Sequence, residues 1–234
     1  MDGFLILSIE TSTGCGSIAL TRGERLLAET TTQPEVTHSR RLLGTVSWLM
    51  KAVAVEWSDL DGIGVSLGPG SFTGLRIGMA AAKGLAMAAG VPLFGVETLD
   101  ALALSCSSVA EQICPVLDAR KQEVYAAMYQ PGEDGYPLRL TGDQALAPEL
   151  LADSIDRPTV LAGPAVAVYG ELFRKNTLIR VVPAPLAHPR GLYVGLLACR
   201  MLATGQNMDP ATATPKYVRA SEAEITLRKK EGIE

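Results

Sequence analysis

Residues 68–76 read Gly-Pro-Gly-Ser-Phe-Thr-Gly-Leu-Arg, and this stretch decides how the surrounding chain folds. Three glycines and a proline within seven residues are incompatible with a strand or helix interior, because glycine loses entropy there and proline removes a backbone donor. An apolar segment, 63–67, precedes the stretch, and a helical pattern follows it as far as Gly90. The stretch therefore predicts a strand, a tight loop and a helix N-terminus, with Ser71 or Thr73 as the N-cap.

The glycine-rich loop has two interpretations. Its backbone N–H groups gather at the positive end of a helix dipole, which makes the loop a candidate anion site through Gly70 and Ser71. Alternatively, the glycines only turn the chain tightly and let the helix begin close to its neighbours. The loop lacks the Lys-Ser/Thr ending of a nucleotide-binding P-loop, so the motif does not decide between the two.

The helix that follows the loop is apolar around almost its whole circumference. Only two charges, Arg76 and Lys83, interrupt residues 75–90. Small residues repeat along one side, at Gly74, Gly78, Ala82 and Ala89. Small side chains four residues apart let another backbone approach closely, so either the domain core or a partner protein must cover this helix. A membrane span is not expected, because a bilayer requires about 20 apolar residues.

Length and composition exclude several classes of protein. The 234 residues suffice for one large domain or for two lobes of about 100 to 130 residues, and a hydrophobic content of 47% excludes a disordered chain. A net charge of −4 gives no basic surface for tight binding to nucleic acid. The four cysteines lack C-x-x-C spacing and no signal peptide is recognisable, which predicts a cytoplasmic protein. Two histidines are too few for a histidine-rich metal site.

The first half of the chain predicts a mixed sheet. Apolar or alternating segments at 4–9, 17–20 and 25–32, separated by turns, indicate a three-stranded antiparallel meander. A helix over 38–55, the strand–loop–helix unit, a strand at 91–96 and a helix from Thr98 follow. This order is typical of a five-stranded mixed sheet with helices on its faces.

The tip of the first hairpin carries Glu10, Thr11, Ser12 and Thr13. A carboxylate and hydroxyls at the end of a strand can bind phosphate or a metal-bound water, but they are also ordinary turn residues. Glu10, Thr11 and Ser12, together with Gly70 and Ser71, are therefore weak candidates for nucleotide binding.

The helix over 38–55 has two distinct lines of side chains. Its core stripe is predicted at Leu42, Leu43, Val46, Leu49, Met50 and Val53. A second line contains Arg41, Thr45, Trp48 and Ala52. An outward tryptophan beside an arginine is typical of a protein interface, although a tryptophan partly covered by its own domain would give the same pattern.

The second half repeats the alternation of strands and helices more weakly. Strands are predicted at 113–117, 124–129, 159–161 and 181–184, and helices within 141–152 and over 166–173 and 191–203. The predicted division is a first lobe over 1–107 and a smaller, degenerate lobe over 108–234, whose C-terminal segment is a candidate for packing back on the first lobe. Arg120 and Lys121 either contact a partner or are merely solvent-exposed residues of a turn.

Five motifs along the chain together resemble one family. They are Ile-Leu-Ser-Ile-Glu-Thr-Ser-Thr at 6–13, His38-Ser39, the glycine-rich stretch extended to Gly78, Asp118-Ala119-Arg120-Lys121 with Val124-Tyr125, and Pro-Lys-Tyr-Val-Arg at 215–219. In this order they resemble the TsaB (YeaZ) family. The resemblance implies an α/β protein with the two-lobed actin, sugar-kinase and Hsp70-like fold, each lobe built around an RNase H-like sheet. It also implies a role in making threonylcarbamoyladenosine in tRNAs that read codons beginning with adenosine.

The resemblance further implies a division of labour. Proteins of that family are non-catalytic partners of an ATP-binding, metal-containing paralogue, TsaD, and a small ATPase, TsaE, joins the complex. Accordingly we expect no metal, no cofactor and no catalytic residue in this chain, and contact with tRNA only through the complex. The residues agree, because the chain has no His-x-x-x-His motif and Asp118-Ala119-Arg120 lacks the paired glycines of a second phosphate loop. Gly163-Pro164-Ala165 likewise departs from an adenosine loop.

The family pairs with its paralogue through the N-terminal lobe, and homodimerises through the same surface when alone. We therefore expect a partner interface made of Arg41, Thr45, Trp48, Ala52, Leu75, Gly78, Met79, Ala82 and Lys83. On this hypothesis Ala82→Arg or Gly78→Glu abolishes pairing and leaves the monomer folded.

Two other functions compete with the scaffold hypothesis. A stand-alone ATPase or peptidase would use Ser71 or Thr73 with His38 or His188, but no third residue to orient a base is identifiable. A nucleic-acid binder is disfavoured by the acidic balance and by an aromatic content of 5%.

Overall fold

The structure is a computed structural model that describes residues 3–32, 42–108, 111–183 and 186–218. Within these ranges the chain forms two sheets with helices on their faces, arranged as two lobes. The two-lobed α/β fold expected from the sequence is confirmed. Some predictions fall outside the described ranges, namely those for His38, Arg41, Arg219 and the first turn of the helix predicted from residue 38.

The first lobe contains a five-stranded sheet in the order β3-β2-β1-β4-β5. Its elements are β1 (Leu5–Glu10), β2 (Gly16–Arg22), β3 (Arg25–Thr32), α1 (Leu42–Ala52), β4 (Gly62–Gly68), α2 (Phe72–Ala89), β5 (Leu93–Glu97) and α3 (Thr98–Leu104). The first three strands pair antiparallel, and β4 and β5 continue the sheet in parallel with β1. The predicted mixed sheet is therefore correct in strand number and order.

Strand β1 is buried along its whole length because helices cover both faces of the sheet. Leu5, Leu7 and Ile9 point to the face that α1 and α2 cover. Ile6 points to the opposite face, where α3 and the C-terminal helix α6 (Gly191–Ala203) pack. Side chains of β1 therefore contribute to two apolar cores, one on each face of the sheet.

The second lobe is built on a smaller sheet. Its elements are β6 (Gln112–Arg120), β7 (Glu123–Ala126), β8 (Tyr129–Pro131), β9 (Pro137–Arg139), β10 (Gln144–Leu146), α4 (Pro148–Ser154), β11 (Thr159–Ala162), α5 (Ala165–Phe173) and β12 (Ile179–Val181). The main path is β10-β7-β6-β11-β12, and the β8–β9 hairpin pairs with β6. The strand predicted over 124–129 is therefore two strands, since β7 and β8 bond separately to β6.

The end of the described chain returns to the first lobe. Helix α6 packs on β1, β2 and β4, and residues 208–218, which we call the C-terminal strap, run along the same lobe. Met208 forms an antiparallel bridge with Leu93, and the Lys216 N–H donates to the Leu67 carbonyl at 2.9 Å. The strap thus lies beside β5 and reaches the loop that precedes α2.

A cluster of charges joins the two lobes beside the strap. Arg139 of the second lobe donates to Asp100 and pairs with Glu97 at 2.6 Å, both in the first lobe. The Lys216 ammonium lies 2.7 Å from Glu97 and 3.1 Å from Asp143 of the second lobe. A network of this kind fixes the relative position of the lobes better than isolated surface pairs do.

Candidate functional site

A cleft of about 720 Å³ lies between the lobes, and we call it the main cleft. The first lobe contributes the turn after β1 and the start of α2. The second lobe contributes the β6–β7 hairpin and the beginning of α5, and Tyr217 of the strap closes one side. The glycine-rich loop and the first hairpin, which lie far apart in sequence, therefore meet in one wall.

The loop before α2 packs directly on the first hairpin. The Ser71 N–H donates to the Ser12 carbonyl at 2.6 Å, and a Cβ atom on Gly70 would collide with that carbonyl. Ser71 is the N-cap of α2, since its Oγ accepts a hydrogen bond from the Gly74 N–H at 3.3 Å. The glycines permit this close approach, which is the second of the two interpretations of the loop.

Glu10 and Thr11 do not line the main cleft. Their side chains instead fix the position of the hairpin through hydrogen bonds. The buried Glu10 carboxylate accepts hydrogen bonds from the Ser12 N–H at 2.5 Å and from the Ser66 hydroxyl. Burial raises the pKa of Glu10 above its usual value, although these hydrogen bonds act in the opposite direction. The Thr11 hydroxyl donates to the Gly74 carbonyl at 2.8 Å. Of the five weak nucleotide candidates, Ser12, Gly70 and Ser71 line the cleft, and the other two anchor its wall.

The opposite wall contains an unusual hairpin turn. Arg120, Lys121 and Gln122 have φ values of 62°, 52° and 61°, a left-handed conformation that side chains other than glycine adopt rarely. Asp118 supports the turn by accepting a hydrogen bond from the Arg120 N–H at 2.8 Å. Arg120 ends β6, Lys121 lies in the turn that follows, and both line the main cleft, which leaves both options for these two residues open.

An aromatic stack at the mouth of the main cleft was missed by the sequence analysis. The rings of Phe72 and Tyr217 lie 5.1 Å apart, and the Arg76 guanidinium lies 3.6 Å from the Phe72 ring centre. The Arg76 Nε atom also donates to the Tyr217 hydroxyl at 3.0 Å. The motif at 215–219 singled out Tyr217, but nothing in the sequence paired it with a helix 141 residues earlier.

The described residues named for the hydrolase alternative, Ser71, Thr73 and His188, line two different clefts. Asp118 is the sole acidic residue among the described residues that line the main cleft. His188 lines a second cleft, between Ser105 and Arg190 of the first lobe and Arg180 of the second, and no residue borders both clefts in the described structure. The pairing of His188 with Ser71 or Thr73 is therefore wrong. Within the described ranges, no three His, Cys, Asp or Glu side chains group as metal ligands do.

The predicted partner interface on α2 requires correction. Leu75, Gly78, Met79 and Ala82 are buried and face the sheet of their own lobe. The small-residue side allows α2 to approach β1, because a Cβ atom on Gly78 would collide with the Thr11 hydroxyl. These residues cannot contact a partner while the lobe is folded, and the Ala82→Arg and Gly78→Glu variants would not leave the monomer intact. Lys83 is half-buried and donates to the strap carbonyl of Ala213 at 3.0 Å.

The other sides of α1 and α2 are exposed, and we call them together the outer face. On α1, Trp48 is 61% exposed, Ala52 is exposed and Thr45 is half-buried. Leu43, which we placed in the core stripe, is 57% exposed because it lies about 120° around the helix from Leu49, at the edge of the stripe. On α2 the outer face contains Ile77, Ala80, Gly84, Met87 and Ala88. Neither helix contains an acidic residue.

Comparison with known proteins places these features in a class. The fold is that of actin-like and sugar-kinase-like proteins. The ROK hexokinase from Thermus thermophilus shares this fold, with a TM-score of 0.52 at 14% identity, covering 86% of this chain and 100% of that chain. The family model described as "TsaD: tRNA N6-adenosine threonylcarbamoyltransferase" matches residues 26–227.

Two relatives identify the family within this fold class. The tRNA threonylcarbamoyladenosine biosynthesis protein TsaB of Escherichia coli K12 is 30% identical over 97% of this chain and 99% of its own length. The solved structure of YeaZ from Pseudomonas aeruginosa is 30% identical, with a TM-score of 0.79 over 92% of this chain and 100% of that chain. The chain therefore belongs to the TsaB (YeaZ) family of tRNA threonylcarbamoyladenosine biosynthesis proteins.

Membrane insertion through the described helices is not supported. No helix in residues 3–32, 42–108, 111–183 or 186–218 combines the length and the apolar character that crossing a bilayer requires.

Proposed function

We propose that this chain is the non-catalytic scaffold subunit of the cytoplasmic complex that makes threonylcarbamoyladenosine in tRNA. It pairs with the ATP-binding, metal-containing paralogue TsaD, activates it and helps to recruit the ATPase TsaE, and it contacts tRNA only through that complex. The observation that carries the proposal is the outer face, where two helices of one lobe expose large apolar side chains and no acidic ones.

The composition of the outer face suits a protein interface. Trp48 and Met87 are 61% and 66% exposed, so each leaves most of its apolar surface in water. Tryptophan is enriched at interface hot spots, where burial of a single side chain contributes about 2 kcal/mol or more to binding. Between such anchors, Ala80 and Gly84 leave room for the backbone of a partner helix. Thr45 and Ala52 extend the surface on α1, and a second copy of the chain covers it when the paralogue is absent.

The main cleft favours this proposal over a stand-alone ATPase. An ATPase of this fold needs acidic residues in both lobes to hold Mg-ATP. Among the described residues that line the cleft, the first lobe contributes no acidic side chain, and the second contributes one, Asp118. Glu10, the acidic residue of the first hairpin, is buried beneath the wall and engaged by Ser12 and Ser66.

A matched pair of surface variants tests the proposal. The chain is mixed with its larger, histidine-rich paralogue and the complex is followed by gel filtration and calorimetry. Met87→Glu on the outer face should weaken pairing at least about tenfold, because it buries an unpaired charge at the interface. Leu150→Glu on α4 of the second lobe, where the leucine is 62% exposed, is the control and should leave the affinity unchanged.

Two outcomes would overturn the proposal. One is a Met87→Glu chain that co-elutes with the paralogue as tightly as the wild type does. The other is steady release of phosphate from ATP by the chain alone that Asp118→Asn abolishes, which would support the ATPase alternative.

A further inference from the structure

The second cleft has a volume of about 710 Å³ and lies between the lobes. The first lobe contributes Ser105 and Ser108, which follow α3, and Arg190 and Tyr193 at the start of α6. The second lobe contributes β12 and the segment around His188. No acidic residue appears among its described lining residues, although the whole chain is acidic.

Both guanidinium groups of this cleft keep unused donors. Arg190 binds the buried Glu29 carboxylate through Nε, at 3.0 Å, and through Nη2. Its Nη1 atom bonds to none of the described residues. Within the described residues, Arg180 bonds through Nη2 alone, which donates to Glu111 at 2.7 Å. Each arginine is therefore held in place by one carboxylate on one edge and leaves N–H groups for another acceptor.

One of the other polar side chains that line the cleft is unsatisfied. The Nδ1 atom of His188 is buried and has no hydrogen-bond partner in the described chain. The Ser108 hydroxyl, which is exposed, also lines the cleft. Buried polar atoms without partners are rare in folded proteins, and a bound molecule is one of the ordinary reasons for them.

Apart from Thr31 and Ser105, the remaining described lining is largely apolar. Val160, Val182 and Leu186 come from the second lobe, and the Tyr193 ring comes from α6. A concave, largely apolar surface with a few convergent polar groups is the usual composition of a small-molecule site. Arginine is the side chain best suited to a carboxylate or a phosphate, because its planar N–H groups match the spacing of their oxygens.

We propose that the second cleft binds a small organic anion. A carboxylate or phosphate group accepts hydrogen bonds from Arg180 and Arg190, with His188 and Ser108 as further donors, and an apolar body packs on Val160 and Leu186. This site is separate from the outer face, so its test does not depend on pairing with the paralogue.

Titration of the full chain with phenyl phosphate, benzoate and benzyl alcohol, followed by amide NMR shifts, tests the site. Phenyl phosphate and benzoate should shift the amides of residues 105–108, 180–182 and 188–193, and the stronger of the two identifies which oxyanion the cleft prefers. Benzyl alcohol, which has the same ring and no charge, should bind at least about tenfold more weakly.

A pair of arginine variants assigns the site. Arg180 is exposed enough that Arg180→Ala should fold normally, and it should weaken phenyl phosphate about tenfold, the loss expected for one charge-assisted contact. Arg174→Ala, which removes an exposed arginine from the end of α5, is the control and should leave the affinity unchanged. Equal binding of benzyl alcohol, shifts confined to other amides, or undiminished binding by the Arg180→Ala chain would each overturn the proposal.

Discussion

Two glycines on α2, Gly78 and Gly84, have very different surroundings. A Cβ atom on Gly78 would collide with the Thr11 hydroxyl, whereas a Cβ atom on Gly84 would meet nothing within 4 Å. They lie six residues apart on one helix, Gly78 on the side that packs on β1 and Gly84 on the outer face. The same residue type is thus required for packing at one position and merely tolerated at the other.

The two sides of α2 differ in the same way along the whole helix. Its inner side, with Met79, Ala82 and Ala86, forms part of the main core of the first lobe, so changes there act on folding. Its outer side is exposed, so changes there act on association. A variant that lowers pairing therefore identifies an interface only when the monomer retains its stability.

The largest effect is expected at Ala82, which has no exposed surface. Ala82→Arg places a charged side chain between α2 and the sheet, where neither space nor a partner charge exists. The monomer should lose at least about 4 kcal/mol of unfolding free energy, which exceeds what a marginally stable lobe tolerates. Circular dichroism and urea unfolding of the purified chain would measure this loss. A folded variant that had lost only its partner would restore our original placement of the interface.

Sequence periodicity predicted most of the fold of the first lobe. The continuous apolar run at 4–9 and the order of strands and helices were enough for the five-stranded sheet, since each pattern reflects burial on a local period. Which side of α2 faces the sheet was not predictable in this way. A helix that is apolar all round has no strong polar side, so its small residues fit either a partner or its own sheet.

A smaller loss is expected at Gly78. Gly78→Ala adds one methyl group, which must displace Thr11 and weaken its hydrogen bond to Gly74. Overpacking of this kind should cost about 1–3 kcal/mol, more than the helix propensity that alanine adds. Urea unfolding of the variant measures the cost. An unchanged or higher midpoint would show that α2 can move away from β1 without penalty.

The candidate site was predictable in part. The hairpin after β1 and the glycine-rich loop were both identified, and they meet in the main cleft because β1 and β4 are parallel neighbours. The role of Glu10 was not predictable, because its partners Ser66 and the Ser12 amide are set by tertiary packing. The second cleft was missed altogether, since its lining residues are far apart in sequence and form no motif.

The buried carboxyl group of Glu10 should make the stability of the chain depend on pH. Its pKa is raised in the folded chain, so the unfolded chain releases the proton first as pH rises. The folded state then binds more protons, and stability falls from about pH 4.5 up through the folded pKa. Glu10→Gln removes this contribution, so the variant should gain stability relative to wild type as the pH rises from about 4.5 through the folded pKa.

Urea unfolding at three pH values measures that difference. Glu149→Gln, an exposed change at the start of α4, is the control and should follow the wild-type curve. Parallel curves for Glu10→Gln and wild type would show that the buried carboxyl does not change its protonation in this range.

The smallest effect is expected at Gly84, and its sign is opposite to that expected at Gly78. Gly84→Ala makes the same change as Gly78→Ala on the same helix, but the added methyl group enters open space. Alanine restricts the unfolded chain and favours the helix, so the monomer should gain about 0.5–1 kcal/mol. The two variants, measured side by side by urea unfolding, should therefore move in opposite directions from wild type. If Gly84→Ala also destabilised the free monomer, the outer side of α2 would have to be covered within the chain itself, and the outer face could not serve as the docking surface for the paralogue.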